Sequence, residues 1–251
     1  MPESDTTTQE IAEQIARSVQ EQLDQSNSSR RRFMSRSALI GGTLLALGGA
    51  TGFALAQEDD ETTPTQLFDD VLGTDVDVLN YALSLEHVEN VFYREALEQF
   101  TAADLADADV LADASDEDLA MVYGFIGEVA DHEATHVDVL TQAVELLGGT
   151  PASEGTYDFG VETVADFFAL AQVLENTGVA AYRGAAPFVQ SPDLLGAALS
   201  IHSVEARHAA MFNALNGESP FPDAFDAAAS QADVLDAVSQ FVVDSTNGSS
   251  S

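Results

Sequence analysis

One arrangement occurs twice along this chain and narrows what it can fold into. Leu85-Glu86 followed by Tyr93-Arg94 is matched, at the same spacing, by Leu174-Glu175 followed by Tyr182-Arg183. Glu133-Ala134-Thr135-His136 is echoed by Glu205-Ala206-Arg207-His208. A repeat this short cannot bury an apolar face alone, so the two copies are expected to pack against each other about a pseudo-twofold axis.

Apolar spacing makes the repeated unit a helical hairpin. Thr74 with Asp77 offers a capping start, after which Val76, Leu79, Leu83, Val91, Ala96 and Phe100 recur at helical period, so the first helix runs to about Phe100. Ser115 with Asp118 opens the second. Its stripe of Leu119, Val122, Phe125, Ile126, Val129, Val137, Leu140, Val144 and Leu147 ends at Gly148-Gly149. A third helix starts around Thr163, carries Phe167, Leu170, Val173, Leu174 and Ala181, and closes before Pro187. Ser191-Pro192 begins the fourth, which continues through Leu195, Leu199, Ile201 and Met211 to Gly217. Nothing past residue 56 alternates with period two, so the expected fold class is all-α, a four-helix bundle of two repeated hairpins. Phe221, Phe225, Leu235 and Phe241 suggest a short helical C-terminal tail packed on it.

Residues three apart share a helix face, so Glu133 with His136, and Glu205 with His208, can each offer an oxygen and a nitrogen to one ion. Glu86 and Glu175 can bridge or cap the pair. All four motifs fall near the middle of their helices and should meet at one depth. Two divalent cations cancel the charge of four carboxylates when both imidazoles are neutral, whereas carboxylates buried without them cost several kcal/mol each. The chain has no cysteine, which leaves oxygen and imidazole as the only donors.

With these motifs in hand, the chain resembles the ferritin-like superfamily, whose di-iron and di-manganese members use one Glu from each of two helices and Glu-x-x-His from the other two. The stretches Leu79 to Glu86, Asp131 to His136 and Val204 to Ala210 are similar to the branch that includes plant desiccation-related proteins. The resemblance implies a ferritin-like four-helix bundle with Glu86, Glu133, His136, Glu175, Glu205 and His208 as metal ligands and two iron or manganese ions as cofactors. Tyr93 and Tyr182 then lie just outside the ligands, either in a redox or ligand-hydrogen-bonding role or as core residues with a satisfied hydroxyl. Glu89 is an alternative to Glu86, but its repeat counterpart is Gly178. His132, with Val204 as counterpart, is expected beside the ligands or at the surface, and His87 and His202 are read as partly buried histidines without a metal role.

Asp and Glu number 43 against 8 basic residues, a net charge of -35 that requires concentrated salt for screening and points to a salt-adapted protein. Arg94, Arg183 and Arg207 are the only cations after residue 56, too few to follow a phosphate backbone, so nucleic acid is not an expected partner. Ser29-Arg30-Arg31-Arg32-Phe33-Met34 looks like a twin-arginine signal, and the uncharged run Ser37 to Ala56 ends in Ala54-Leu55-Ala56, a small-x-small cleavage pattern. The expected organisation is an export signal with its extension at 1–56, an acidic tether at 57–67, the helical domain at 68–245 and a disordered tail at 246–251. Cleavage after Ala56 would release the protein, and an uncleaved 37–56 would anchor it. Expected partners are metal ions and the twin-arginine export machinery. A homo-oligomer is compatible with the sequence, but the apolar run and long tether give no sign of the contacts of a hollow storage cage. Two functions follow: redox chemistry on oxygen, peroxide or ferrous iron at a dinuclear centre, or a non-catalytic desiccation or envelope protectant that keeps the bundle for stability.

Overall fold

The computed structural model describes residues 74–243. The twin-arginine motif, the 37–56 run, the tether at 57–67 and the tail at 246–251 lie outside the described residues. Within them the chain forms α1 (Asp75–Gln99), α2 (Asp116–Leu146), α3 (Val164–Ala185), α4 (Pro192–Leu215) and a short α5 (Gln231–Ser239), with 3-10 turns at Ala102–Asp107, Asp109–Leu111 and Ala186–Phe188. No strand occurs among the described residues; a single antiparallel bridge, Tyr157 with Val242, ties the α2–α3 connection to the C-terminal segment. No helix among them is long and apolar enough to cross a membrane.

The helix starts are set by side chains that satisfy otherwise orphaned amides. Ser115 and Thr163 accept from the backbone of Asp118 and Asp166, whose carboxylates accept from the capping amides in return. Ser191 caps α4 ahead of Pro192, which loses nothing there because its missing amide would have been unpaired. At the C-terminal ends, Gly148 and Gly217 take φ of 77° and 76°, the left-handed conformation that lets the chain turn out of α2 and α4.

Helix α1 runs along α2, α3 runs along α4, and the two hairpins approach each other chiefly through α1 and α3. Each of α1 to α4 contributes to two apolar layers with polar side chains between them. One layer gathers Phe92, Tyr93, Ile126, Val129, Phe167, Phe168 and Phe212; the other gathers Leu79, Leu83, Val139, Leu140, Tyr182, Leu194 and Ile201. Along α1 the second layer precedes the first, along α3 the order reverses, and α2 and α4 are opposed in the same way. The pseudo-twofold axis therefore lies across the bundle, at the level between the layers. Helix α5 covers one side, with Val234 and Val238 on Val78, Tyr81, Leu85, Ala181 and Ala185.

Two sequence expectations need correction. Phe221 and Phe225 do not pack on the bundle: they are 83% and 84% exposed in an irregular segment. Pro220 and Pro222 flank Phe221 and withhold the amides a helix would need, so the helical tail begins only at Gln231. Phe125, Val173 and Leu199, counted in the apolar stripes, face outward at 44–55% exposure, while Ile126, Leu174 and Ile201 in the same helices fill the interior. Each excluded residue is a near neighbour of an inward one, and the stripe is too narrow to hold both.

Replacing Ser115 with Ala removes the hydroxyl half of the α2 capping box and leaves the backbone amide of residue 115 on Asp118. It is expected to lower stability by about 1 kcal/mol, read as a lower midpoint in denaturant unfolding with an unchanged slope.

Candidate metal centre

Between the two apolar layers, Glu86 on α1, Glu133 and His136 on α2, Glu175 on α3, and Glu205 and His208 on α4 converge. The four carboxylates are 0% exposed, the histidines 7% and 5%. They form two overlapping groups of potential ligands, Glu86–Glu133–His136–Glu205 and Glu133–Glu175–Glu205–His208, the donor atoms of each lying within 4.8 Å of one another. Glu133 and Glu205 belong to both groups, whereas Glu86 and Glu175 belong to one each.

Atom by atom, the arrangement is a two-fold exchange. Glu133 turns Oε2 to His136 Nδ1 at 3.3 Å and Oε1 to His208 Nδ1 at 3.0 Å. Glu205 does the reverse, with Oε1 3.0 Å from His136 Nδ1 and Oε2 3.4 Å from His208 Nδ1. Glu86 Oε2 reaches only His136 Nδ1, at 3.2 Å, and Glu175 Oε2 only His208 Nδ1, at 3.3 Å. Glu86 and Glu175 therefore take the terminal positions of the cluster, each beside one histidine, while Glu133 and Glu205 lie beside both.

A match to the family model for a ferritin-like domain spans residues 74–218, more than half of the chain. The chain belongs to the ferritin-like domain family. A search of curated proteins finds no match to it.

Four other residues complete the surroundings of this ferritin-like centre. Tyr93 donates its hydroxyl to Glu175 Oε1, and Tyr182 donates to Glu86 Oε1. Each tyrosine is rooted by its ring in one apolar layer and reaches across to the terminal carboxylate of the other hairpin; Tyr93 packs 5.8 Å from Phe212 and edge-on, 6.1 Å, against Phe167. Burial, with the neighbouring carboxylates, holds both phenols far above their ordinary pKa, so they remain donors. Glu89 is buried with its carboxylate against Gly178: a Cβ at 178 would sit 3.1 Å from Glu89 Oε1. The glycine opposite Glu89 is thus the space that its carboxylate fills. His132 is exposed, yet its Nδ1 lies 3.0 Å from His208 Nε2. His87 bonds the Ala152 carbonyl and His202 sits 3.9 Å from Asp226, both away from the centre.

Electrostatics in the metal-free protein follow from burying so many acids together. Burial, over the attraction of His136, raises Glu86 to about 8. Glu175 is also driven well up by burial, against His208, and Glu89 is driven up by burial with Glu205, Glu175, Glu133 and Glu86 all repelling its charge. Burial would raise Glu133 too, but its contacts with both histidines outweigh that and hold it far below the carboxylate range. For His208, burial is overcome by Glu133, Glu175 and Glu205, which raise it to about 12; His136 is raised further by Glu86, Glu133 and Glu205. Protons on the histidines and Glu86 therefore stand where cations would neutralise the same acids.

The donor set suits metal binding. Glu133 Oε1, Glu175 Oε2, both oxygens of Glu205 and His208 Nδ1 are buried without a hydrogen bond, although the contacts above are as short as 3.0 Å. Buried polar atoms almost always find aligned partners. Atoms that instead crowd together unaligned are aimed at points between them, as ligands of bound cations would be.

Two outcomes follow. Divalent ions loaded at neutral pH displace protons from His136, His208 and Glu86, so loading acidifies a weakly buffered solution and apparent affinity falls as pH is lowered; pH-stat titration with Mn²⁺ measures both. Gly178→Ala crowds Glu89 in the native protein but not in Glu89→Ala. It should stabilise only the latter, by about 1 kcal/mol, through helix propensity, as read from a double-mutant cycle of thermal or denaturant unfolding.

Proposed function

We propose that this ferritin-like protein holds a dinuclear iron or manganese centre and uses it for redox chemistry on oxygen, peroxide or ferrous iron, as an exported stress-protective protein of a salt-adapted cell. The single observation that carries the metal reading is the exchange of oxygens: Glu133 and Glu205 each offer one oxygen beside His136 and the other beside His208. A carboxylate serving one ion has no reason to divide itself in this way.

In the proposed centre Glu86, Glu133, His136 and Glu205 would hold one ion, and Glu133, Glu175, Glu205 and His208 would hold the other. Iron or manganese supplies one-electron exchange with oxygen species and Lewis acidity. The chain does the rest. Tyr93 and Tyr182 occupy Oε1 of the terminal carboxylates and leave Oε2 to face the centre, which fixes how each carboxylate is turned. The two apolar layers shut water away from both sides, so the charges of the centre act in a medium of low polarity.

Export is supported by Arg30-Arg31-Arg32-Phe33-Met34 and the small-x-small end of the following apolar run. A route that carries folded protein suits a buried centre filled before transit. The charge of -35 supports a high-salt setting.

Metal analysis of variants tests the assignment. Glu133→Ala or Glu205→Ala is expected to lose both ions, and Glu86→Ala or Glu175→Ala only one, in protein reconstituted with Fe²⁺ or Mn²⁺ at high salt. Oxygen and peroxide consumption should disappear in the first two. Wild-type protein that takes up neither metal would reject the centre, and a loaded protein inert to oxygen, peroxide and ferrous iron would leave the non-catalytic protectant as the function.

A further inference from the structure

The repeat relates all six candidate ligands and both tyrosines, and among the positions beside them where the copies differ are Glu89 with Gly178 and His132 with Val204. The second break makes the two halves of the centre chemically different. His132 Nδ1 and His208 Nε2 are 3.0 Å apart, the ring planes differ by 11° and the centroids are 5.3 Å apart. That centroid distance is the nitrogen contact plus one ring radius on each side. The rings therefore meet edge to edge in nearly one plane, the geometry of an N–H···N hydrogen bond rather than of a face stack.

The direction of the bond follows from what His208 does with its other nitrogen. Nδ1 faces Glu133, Glu175 and Glu205, and a neutral imidazole that gives the Nδ1 lone pair to an ion carries its proton on Nε2. His208 Nε2–H then donates to His132 Nδ1. On α4 the counterpart of His132 is Val204, which has no side-chain acceptor for His136.

We propose that His132 is a positioning residue for one half of the centre. By accepting from His208 Nε2–H it fixes the tautomer and ring plane of His208, and so strengthens binding of the ion that Glu133, Glu175, Glu205 and His208 hold, without a matching effect on the ion beside His136. The inference rests on the dinuclear reading above. Loss of such an outer partner weakens metal binding by roughly 10–100-fold.

Stepwise Co²⁺ titration of the metal-free full chain at high salt, followed by calorimetry and by the visible spectrum of bound cobalt, tests it. His132→Val copies the residue of the other half. It should weaken one step roughly 10–100-fold, namely the step that Glu175→Ala abolishes, and leave unchanged the step that Glu86→Ala abolishes. His132→Asn places an acceptor oxygen where Nδ1 stood and should recover most of that affinity. Melting of the metal-free protein should be alike in all three proteins, since residue 132 is exposed. Equal weakening of both steps, no change in either, or no recovery in His132→Asn would overturn the role of His132 while leaving the dinuclear centre standing. A wild-type chain that binds no cobalt, iron or manganese would overturn both together.

Discussion

Four fully buried carboxylates at one level of an apolar bundle are the constraint on which the rest of this structure depends. Left charged and unpaired, each would cost several kcal/mol, more than a marginally stable domain can absorb. The surroundings read as answers to that cost. Two histidines point Nδ1 into the acids, two tyrosines donate to the outer carboxylates, and Glu89, a fifth acid, rests its carboxylate against a glycine. In the metal-free protein raised pKa values hold protons on the histidines and on Glu86; cations at the same place would do the same work without protons.

The bundle serves this centre through its layering. Ligands come from all four helices at mid-length, so their relative positions are set by helix packing rather than by a mobile loop. The layer around Tyr93 holds a cluster of buried phenylalanines among its aliphatic residues, whereas the layer around Tyr182 is aliphatic apart from that tyrosine. The two layers differ in composition yet perform the same task, which is to root one tyrosine each and close the site from opposite ends. The fold is symmetric in its ligands and asymmetric in the material that supports them.

Much of this could be read along the chain because helices report themselves locally. Caps at Thr74, Ser115, Thr163 and Ser191, glycine exits at 148 and 217, and the proline at 192 are decided within a few residues, so helix ends were legible to within a residue or two. Where the apolar stripes were drawn too wide, the cause was not local. Phe125, Val173 and Leu199 satisfy the helical period as well as their buried neighbours do, and only the angle between packed helices decides which of them faces the core. Phe221 and Phe225 are apolar enough for a core but are held off by the prolines around them.

The candidate centre divides along the same line. Sequence by itself determined which residues are candidates and that they come in related pairs, because the repeat spacing and the i, i+3 geometry of Glu-x-x-His are properties of single helices. Tertiary structure alone decided that Glu133 and Glu205 face both histidines while Glu86 and Glu175 face one each, that each tyrosine serves the opposite hairpin, that Glu89 needs Gly178, and that His132 meets His208. Those choices depend on distances between helices far apart in sequence, and such distances are set by how two apolar stripes interlock rather than by any residue alone.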